Sequence, residues 1–268
     1  MNKLVTVLIL IVAFRLSSQT RDTLYVNYIN HAPFAYKEGE EIKGIEIDLV
    51  KEYVQWLKQK KGMTVVIKYS LYADYEKLYE QTRLKSRNSF GLASSIITQN
   101  KNPEIEFSLP YIKNVAFCIT NFHVPDIKIK SQYEITKTLG SMTALTINST
   151  SLNKYILELK KTNLQDLRIT YMQSESKILD EVSKNVLTFA YVDAVTFWNY
   201  LRNNPSKSLK LQRLLNQSKE EIGFILPKGC PHSPLFKEFF TSFKVGVVYT
   251  YLLEKYLGAY MAHNLALK

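Results

Sequence analysis

Apolar positions follow two different spacings along this chain. Residues 24–29, Leu24-Tyr25-Val26-Asn27-Tyr28-Ile29, read as a strand. Pro33 breaks it, because proline lacks an amide donor and biases Ala32 toward extended backbone. Over 45–60 the spacing changes. Leu49, Val50, Tyr53, Val54 and Leu57 recur at i, i+1, i+4, i+5 and i+8, which makes one apolar face of a helix. Gly62 stands where that helix would stop. A β-branched strand at 64–69, a helix at 74–84 and a short strand at 90–93 follow. This β-α-β-α-β order is that of a parallel sheet covered by helices. It then recurs: strands at 142–147, 167–171 and 186–192 alternate with helices at 151–161, 175–184 and 194–203. Extended apolar stretches at 114–121 and 221–226 lead out of the first half and back to it. The last forty residues read as mostly helical, with Phe236, Phe239, Phe240 and Phe243 at helical spacing as core. Two α/β lobes joined by two crossovers predict a cleft between them, where small-ligand sites prefer to form.

The start of the chain has another character. A basic Met1-Asn2-Lys3 precedes an apolar run over 4–14, interrupted only by Thr6, and a small polar stretch follows Arg15. The run is far short of the ~20 residues that span a bilayer. Its layout predicts a secretory signal peptide over 1–19, with the mature chain beginning near Gln19 or Thr20. Removing those residues takes away Lys3 and Arg15 and no acid, so the formal charge of +11 falls to +9. A 46% hydrophobic content in 268 residues excludes a disordered tail or a collagen-like repeat. The basic residues are scattered, with no tract of five, so nucleic acid is not expected as a partner. No glycine-rich phosphate loop, GxSxG or HExxH string occurs. Two Cys and four His without short spacing offer no metal centre.

Four segments come in a telling order: Asn30-His31-Ala32-Pro33-Phe34, Gly44-Ile45-Glu46-Ile47-Asp48-Leu49, Ile97-Thr98, and Phe107-Ser108-Leu109-Pro110-Tyr111. Together they resemble the amino-acid-binding family (family 3) of bacterial periplasmic solute-binding proteins. Asn148-Ser149-Thr150-Ser151, Tyr191-Val192-Asp193, Glu221-Ile222-Gly223-Phe224 and the closing Leu253-Glu254-Lys255-Tyr256-Leu257-Gly258 extend the resemblance over nearly all of 22–258. It implies a two-lobed α/β type II periplasmic-binding-protein fold, each lobe a mainly parallel sheet with helices on both faces, with two crossover hinges. Lobe 1 would comprise 20–116 plus 224–268, and lobe 2 would comprise 117–223. The implied function is extracytoplasmic: a monomer closing on a small polar ligand, an amino acid or related carboxylate, for a membrane permease of the ABC type or a sensor. No enzyme activity, cofactor or metal is implied. Two alternatives stay open: a sensor or scaffold with a lost or altered ligand site, and a dehydratase-like enzyme on the same fold.

The resemblance also assigns site positions. Lys101 stands where the family's carboxylate-binding arginine does, keeping the charge and losing the bidentate fork. Ser94 and Ile96 stand at the family's glycine and threonine positions, and Ser95 supplies a hydroxyl between them. His31 and Tyr75 match aromatic positions that stack on the ligand, with Tyr72 and Tyr36 nearby. In the second half Ser149 and Thr150 precede a helix, whose free amides suit an anion. Thr150 or Ser151 equally reads as a helix cap. Asp193 matches the residue that takes the ligand's ammonium, with an N-cap as its other reading. Asp48 reads as structural. Cys118 and Cys230 fall on the two crossovers, where they could be neighbours, either bonded or as free thiols.

Overall fold

The structure is a computed structural model describing residues 21–84, 87–97, 103–148 and 150–267, with backbone alone at 21, 95, 96, 218 and 219. The signal-peptide region, Lys101 and Ser149 lie outside the described residues. Strand β1 (Arg21–Ile29) is followed by a small hairpin, β2 (Tyr36–Glu38) with β3 (Glu41–Lys43). Then come α1 (Ile45–Lys61), β4 (Thr64–Tyr72), α2 (Tyr75–Leu84) and β5 (Ser89–Ile96). A short β6 (Ile105–Phe107) precedes the long β7 (Ile112–Asn121). The second half runs α3 (Gln132–Leu139), β8 (Thr143–Thr146), α4 (Ser151–Thr162), β9 (Arg168–Tyr171), α5 (Glu175–Lys184), β10 (Thr188–Asp193) and α6 (Ala194–Asn203). Strands β11 (Leu209–Leu211) and β12 (Gln217–Pro227) lead to α7 (His232–Phe243) and α8 (Val247–Leu265), the last broken at Gly258.

Among the described residues the main strands order as β4-β1-β5-β12-β7-β10-β8-β9. The outer triplets, β4-β1-β5 and β10-β8-β9, are parallel. Between them β12 and β7 run antiparallel to each other and to their outer neighbours β5 and β10. The chain leaves its first half along β7 and returns along β12, so the two extended stretches of the sequence pair side by side.

The periodic segments form as the sequence predicts. Helix α1 buries Leu49, Val50, Tyr53 and Leu57. Gly62 ends it in the left-handed region, φ 66°, with its N–H donating to Leu57 O. Phe236, Phe239 and Phe240 are buried in the first core as expected. That core draws on both ends of the chain: Leu24, Val26 and Phe90 meet Phe224, Tyr249 and Leu257. A second core gathers Cys118, Ile135, Ile156 and Phe189, and a third gathers Ile119, Ile178, Val192 and Tyr200.

One strand starts later than expected, two elements are added, and the cysteines resolve to one of their two open readings. The strand expected from 186 begins at Thr188, because Asn185 turns the chain: its side-chain Oδ1 accepts from Leu187 N at 2.9 Å, and Leu187 is 56% exposed. Helix α3 and the β2–β3 hairpin add elements that the apolar periodicity did not indicate. Cys118 and Cys230 are both buried free thiols, one in the second core and one in the first.

Candidate ligand-binding site

The carboxyl ends of parallel strands are where α/β sheets open toward ligands. In the first triplet β1 pairs with β5 through Tyr28 and Leu92, so the residues just beyond both strands are neighbours. Beyond β1 the chain folds into a closed turn with a cis Ala32–Pro33 peptide, in which His31 N donates to Ala35 O at 2.7 Å. The His31 ring lies 5.4 Å from the Phe34 ring, and its Nδ1 is 2.9 Å from Ser94 Oγ. Burial lowers the His31 pKa below 6.5, so the ring is neutral at pH 7. Ser94 sits at φ 45°, an uncommon backbone for a residue with a Cβ. Its N–H donates to Glu46 Oε1 at 3.0 Å, which holds it there.

Glu46 is a residue the sequence reading passed over in favour of Asp48. It is fully buried at the start of α1, and its Oε1 also accepts from Tyr111 OH at 2.6 Å. Its Oε2 has no partner, and burial pushes its pKa up to about 7. Glu46 thus fixes Ser94, and Ser94 fixes His31. Asp48 is structural, as expected: its carboxylate takes Lys255 Nζ and Tyr256 OH, each at 2.7 Å, and so ties α1 to α8. Tyr75, at the start of α2, is 45% exposed with its ring 6.1 Å from Tyr79. Ser95 pairs through its backbone with Gly223 of β12.

In the second triplet β10 and β8 are parallel and adjacent, so Asp193 and the start of α4 lie at the same end. Thr150 caps α4: its Oγ1 accepts from Asn153 N at 3.1 Å and donates to Ile147 O at 2.7 Å. Asp193 occupies the N-cap position of α6 but makes no capping hydrogen bond with its side chain. Its Oδ1 accepts instead from Asn114 Nδ2 at 2.7 Å, across to β7. The same Nδ2 donates to Glu220 Oε2 of β12 at 3.0 Å, and Glu220 Oε1 accepts from Tyr155 OH of α4 at 2.6 Å. Asp193 N donates to Glu175 Oε2 at 3.0 Å. Burial raises the Asp193 pKa to about 6. Burial first, and the adjacent Asp193 charge second, hold Glu175 well above the carboxylate range, so one proton is shared between them.

Asp193 is a candidate from the sequence, whereas Glu175, Glu220 and Asn114, which the structure places beside it, are not named as candidates there. The only signal in the chain was an acid at the first turn of a predicted helix and another beside a predicted crossover.

A cavity of about 610 Å³ lies elsewhere, between the β2–β3 hairpin, α1, α6 and α8. Of the candidate residues among those described, Tyr36 lines it, and His31, Tyr75, Ser94, Thr150 and Asp193 do not. Its lysines pair with its own acids, Lys43 with Glu38 and Glu41, and Lys255 with Asp48. Lys51 also pairs with Asp48, so the cleft sets four cations against three acids, and Arg202 donates to the Tyr256 carbonyl oxygen at 3.0 Å. No group of acids, His and Cys among the described residues could hold a metal ion.

No family model matches the sequence, and no curated protein matches it. Solved structures do match in three dimensions. The arginine-, lysine-, histidine-binding protein ArtJ from Geobacillus stearothermophilus superposes with a TM-score of 0.63 at 19% identity, covering 88% of this chain and 96% of that one. The GluR0 ligand-binding core from Nostoc punctiforme, in complex with L-glutamate, gives 0.64 at 17%, over 88% and 99%. The second substrate-binding domain of GlnP from Lactococcus lactis, in an open conformation, gives 0.62 at 15%, over 88% and 95%. Two parallel halves on a pair of antiparallel crossovers, with polar groups at the strands' carboxyl ends, make this a two-lobed periplasmic-binding-protein fold. The structures it matches are amino-acid-binding proteins and substrate-binding domains. No helix of the described residues is long and apolar enough to cross a membrane.

Proposed function

We propose that this protein is an extracytoplasmic solute-binding protein. It closes two lobes, 20–116 with 224–268 and 117–223, around a small polar ligand, an amino acid or related carboxylate. The loaded form is then read by an ABC-type permease or a membrane sensor. The observation that carries this reading is the placement of polar side chains from both halves at the carboxyl ends of parallel strands, on either side of the paired crossovers β7 and β12. His31 and Tyr75 would stack on the ligand and Ser94 and Ser95 would offer hydroxyls. Lys101, with Ser149 and Thr150, would hold a carboxylate, and Asp193 an ammonium. Residues 1–19 would direct export, and the mature protein would work as a monomer without catalysis. The amino-acid-binding names of the structural neighbours support the ligand class.

The test is direct. Protein recovered from the exported fraction is denatured, and the released small molecule is identified by mass spectrometry. Apo protein is then screened with amino acids by thermal shift and small-angle scattering. A raised Tm with a smaller radius of gyration is the expected result. No shift and no contraction with any amino acid or related carboxylate overturns the reading.

A further inference from the structure

We infer that Glu175, Asp193 and Glu220, gathered around Asn114, form a receptor for an organic cation carrying two positive groups, such as a basic amino acid or a diamine. This rests on the solute-binding reading and names the ligand class for that site.

Acceptors at this cluster outnumber donors. Three carboxylates converge from α5, β10 and β12. The donors they have are one amide group, Asn114 Nδ2, shared between two of them; the Tyr155 hydroxyl; the main-chain N–H of Asp193; and the proton shared between Glu175 and Asp193. No Lys or Arg among the described residues lies within ion-pair distance of any of the three. The independent sign is Asn114 itself. It is 1% exposed, and its Oδ1 has no hydrogen-bond partner. A buried amide oxygen without a donor is costly and calls for a partner. Asn114 has spent its nitrogen on two carboxylates and keeps an unmet acceptor beside them, so among the described residues the site is short of donors and positive charge.

One ammonium would not balance this group. With a single proton shared by Glu175 and Asp193, two negative charges remain, on that pair and on Glu220. A ligand with two cationic groups matches them, and a guanidinium fork suits a carboxylate pair in geometry. A metal ion fits worse, because Asn114 turns its N–H groups toward the carboxylates and no metal-holding group is formed.

Calorimetry on the mature protein tests this, with L-arginine, L-lysine and putrescine set against L-glutamine and L-glutamate. The dicationic ligands should bind at least tenfold tighter than glutamine, and glutamate weakest. Arginine against putrescine separates a basic amino acid from a bare diamine. Glu220→Gln should lower the arginine-to-glutamine affinity ratio about tenfold, with the Tm of the apo variant checking the fold. Binding should leave the shared proton in place, so its heat should not vary with the buffer's ionisation enthalpy. The groups facing that proton are Glu175 on α5, Asp193 on β10, Glu220 on β12, and Tyr155 and Glu158 on α4. Tighter binding of glutamine or glutamate, or an unchanged ratio in Glu220→Gln, overturns the inference and leaves the solute-binding reading standing. Absence of binding by all five probes overturns the inference, and the wider screen then decides the parent reading.

Discussion

Glu46 is held by Tyr111 and by the Ser94 amide, with no cation beside it, and its proton is therefore a stability term. In the unfolded chain the carboxyl ionises near pH 4.5, and in the folded protein near pH 7. Between these values the unfolded state has released a proton that the folded state retains. The group's contribution is thus full below about pH 4.5 and falls as pH rises to about 7, by about 3 kcal/mol in all. Glu46→Gln keeps an acceptor and has no proton to lose. Urea titrations from pH 4.5 to 7 should show the unfolding free energy of the parent falling by about 3 kcal/mol more than that of the variant. Parallel profiles would place the proton elsewhere. His232 is the opposite case. It is 1% exposed, its Nδ1 lies 2.8 Å from Tyr53 OH, and burial lowers its pKa below 6.5. It contributes stability above pH 6.5 that is lost as pH falls through its folded value. Tyr53→Phe leaves that nitrogen unpartnered and should cost about 1–3 kcal/mol in urea at pH 7.5.

At the scale of elements, the start of α1 shapes the site. Its first two amides have no partner within the helix. Ile45 N donates to Pro33 O at 3.0 Å and Glu46 N to Phe34 O at 2.9 Å, so the helix end holds the turn that carries His31. Gly44 allows this approach. It sits at φ 128°, and a Cβ there would stand 2.1 Å from Phe34 O. Gly44→Ala should therefore cost about 3 kcal/mol or more and weaken any ligand that depends on His31, read by urea unfolding and calorimetry together. Thr150→Ala removes the cap of α4 and should cost about 1 kcal/mol. The sequence made α1 legible because five apolar residues mark its face and Gly62 its end. It left α3 hidden: in eight residues only Ile135 and Leu139 are buried, too few to show a period. The site was legible in the same partial way. Asp193 was found through a motif on one strand. Glu175, Glu220 and Asn114 meet it from three other elements, and no spacing along the chain encodes that meeting.

At the scale of the whole molecule, α6 joins the two halves. Ala194 and Val195 belong to the first core, with Trp198 packed on it, while Phe197 and Tyr200 from the next turns belong to the third. Neither half can lose its core without disturbing this helix. Trp56 and Trp198 both pack on the first core, so tryptophan fluorescence reports that core while far-UV circular dichroism reports both halves. Their thermal midpoints should coincide, and separated midpoints would mean that the halves unfold independently. The returning strand β12 has a further effect, on the order of assembly. It completes a sheet begun by β1 (21–29), β4 (64–72) and β5 (89–96) far earlier in the chain, and α7 and α8 close the core beneath them. A chain emerging from its amino end displays Leu24, Val26, Tyr53 and Phe90 without their eventual cover, while the segment from β8 to α6 is already continuous. The earlier-made half is therefore the later one to be finished, and its uncovered apolar strands are the surface that a holding chaperone would meet during synthesis.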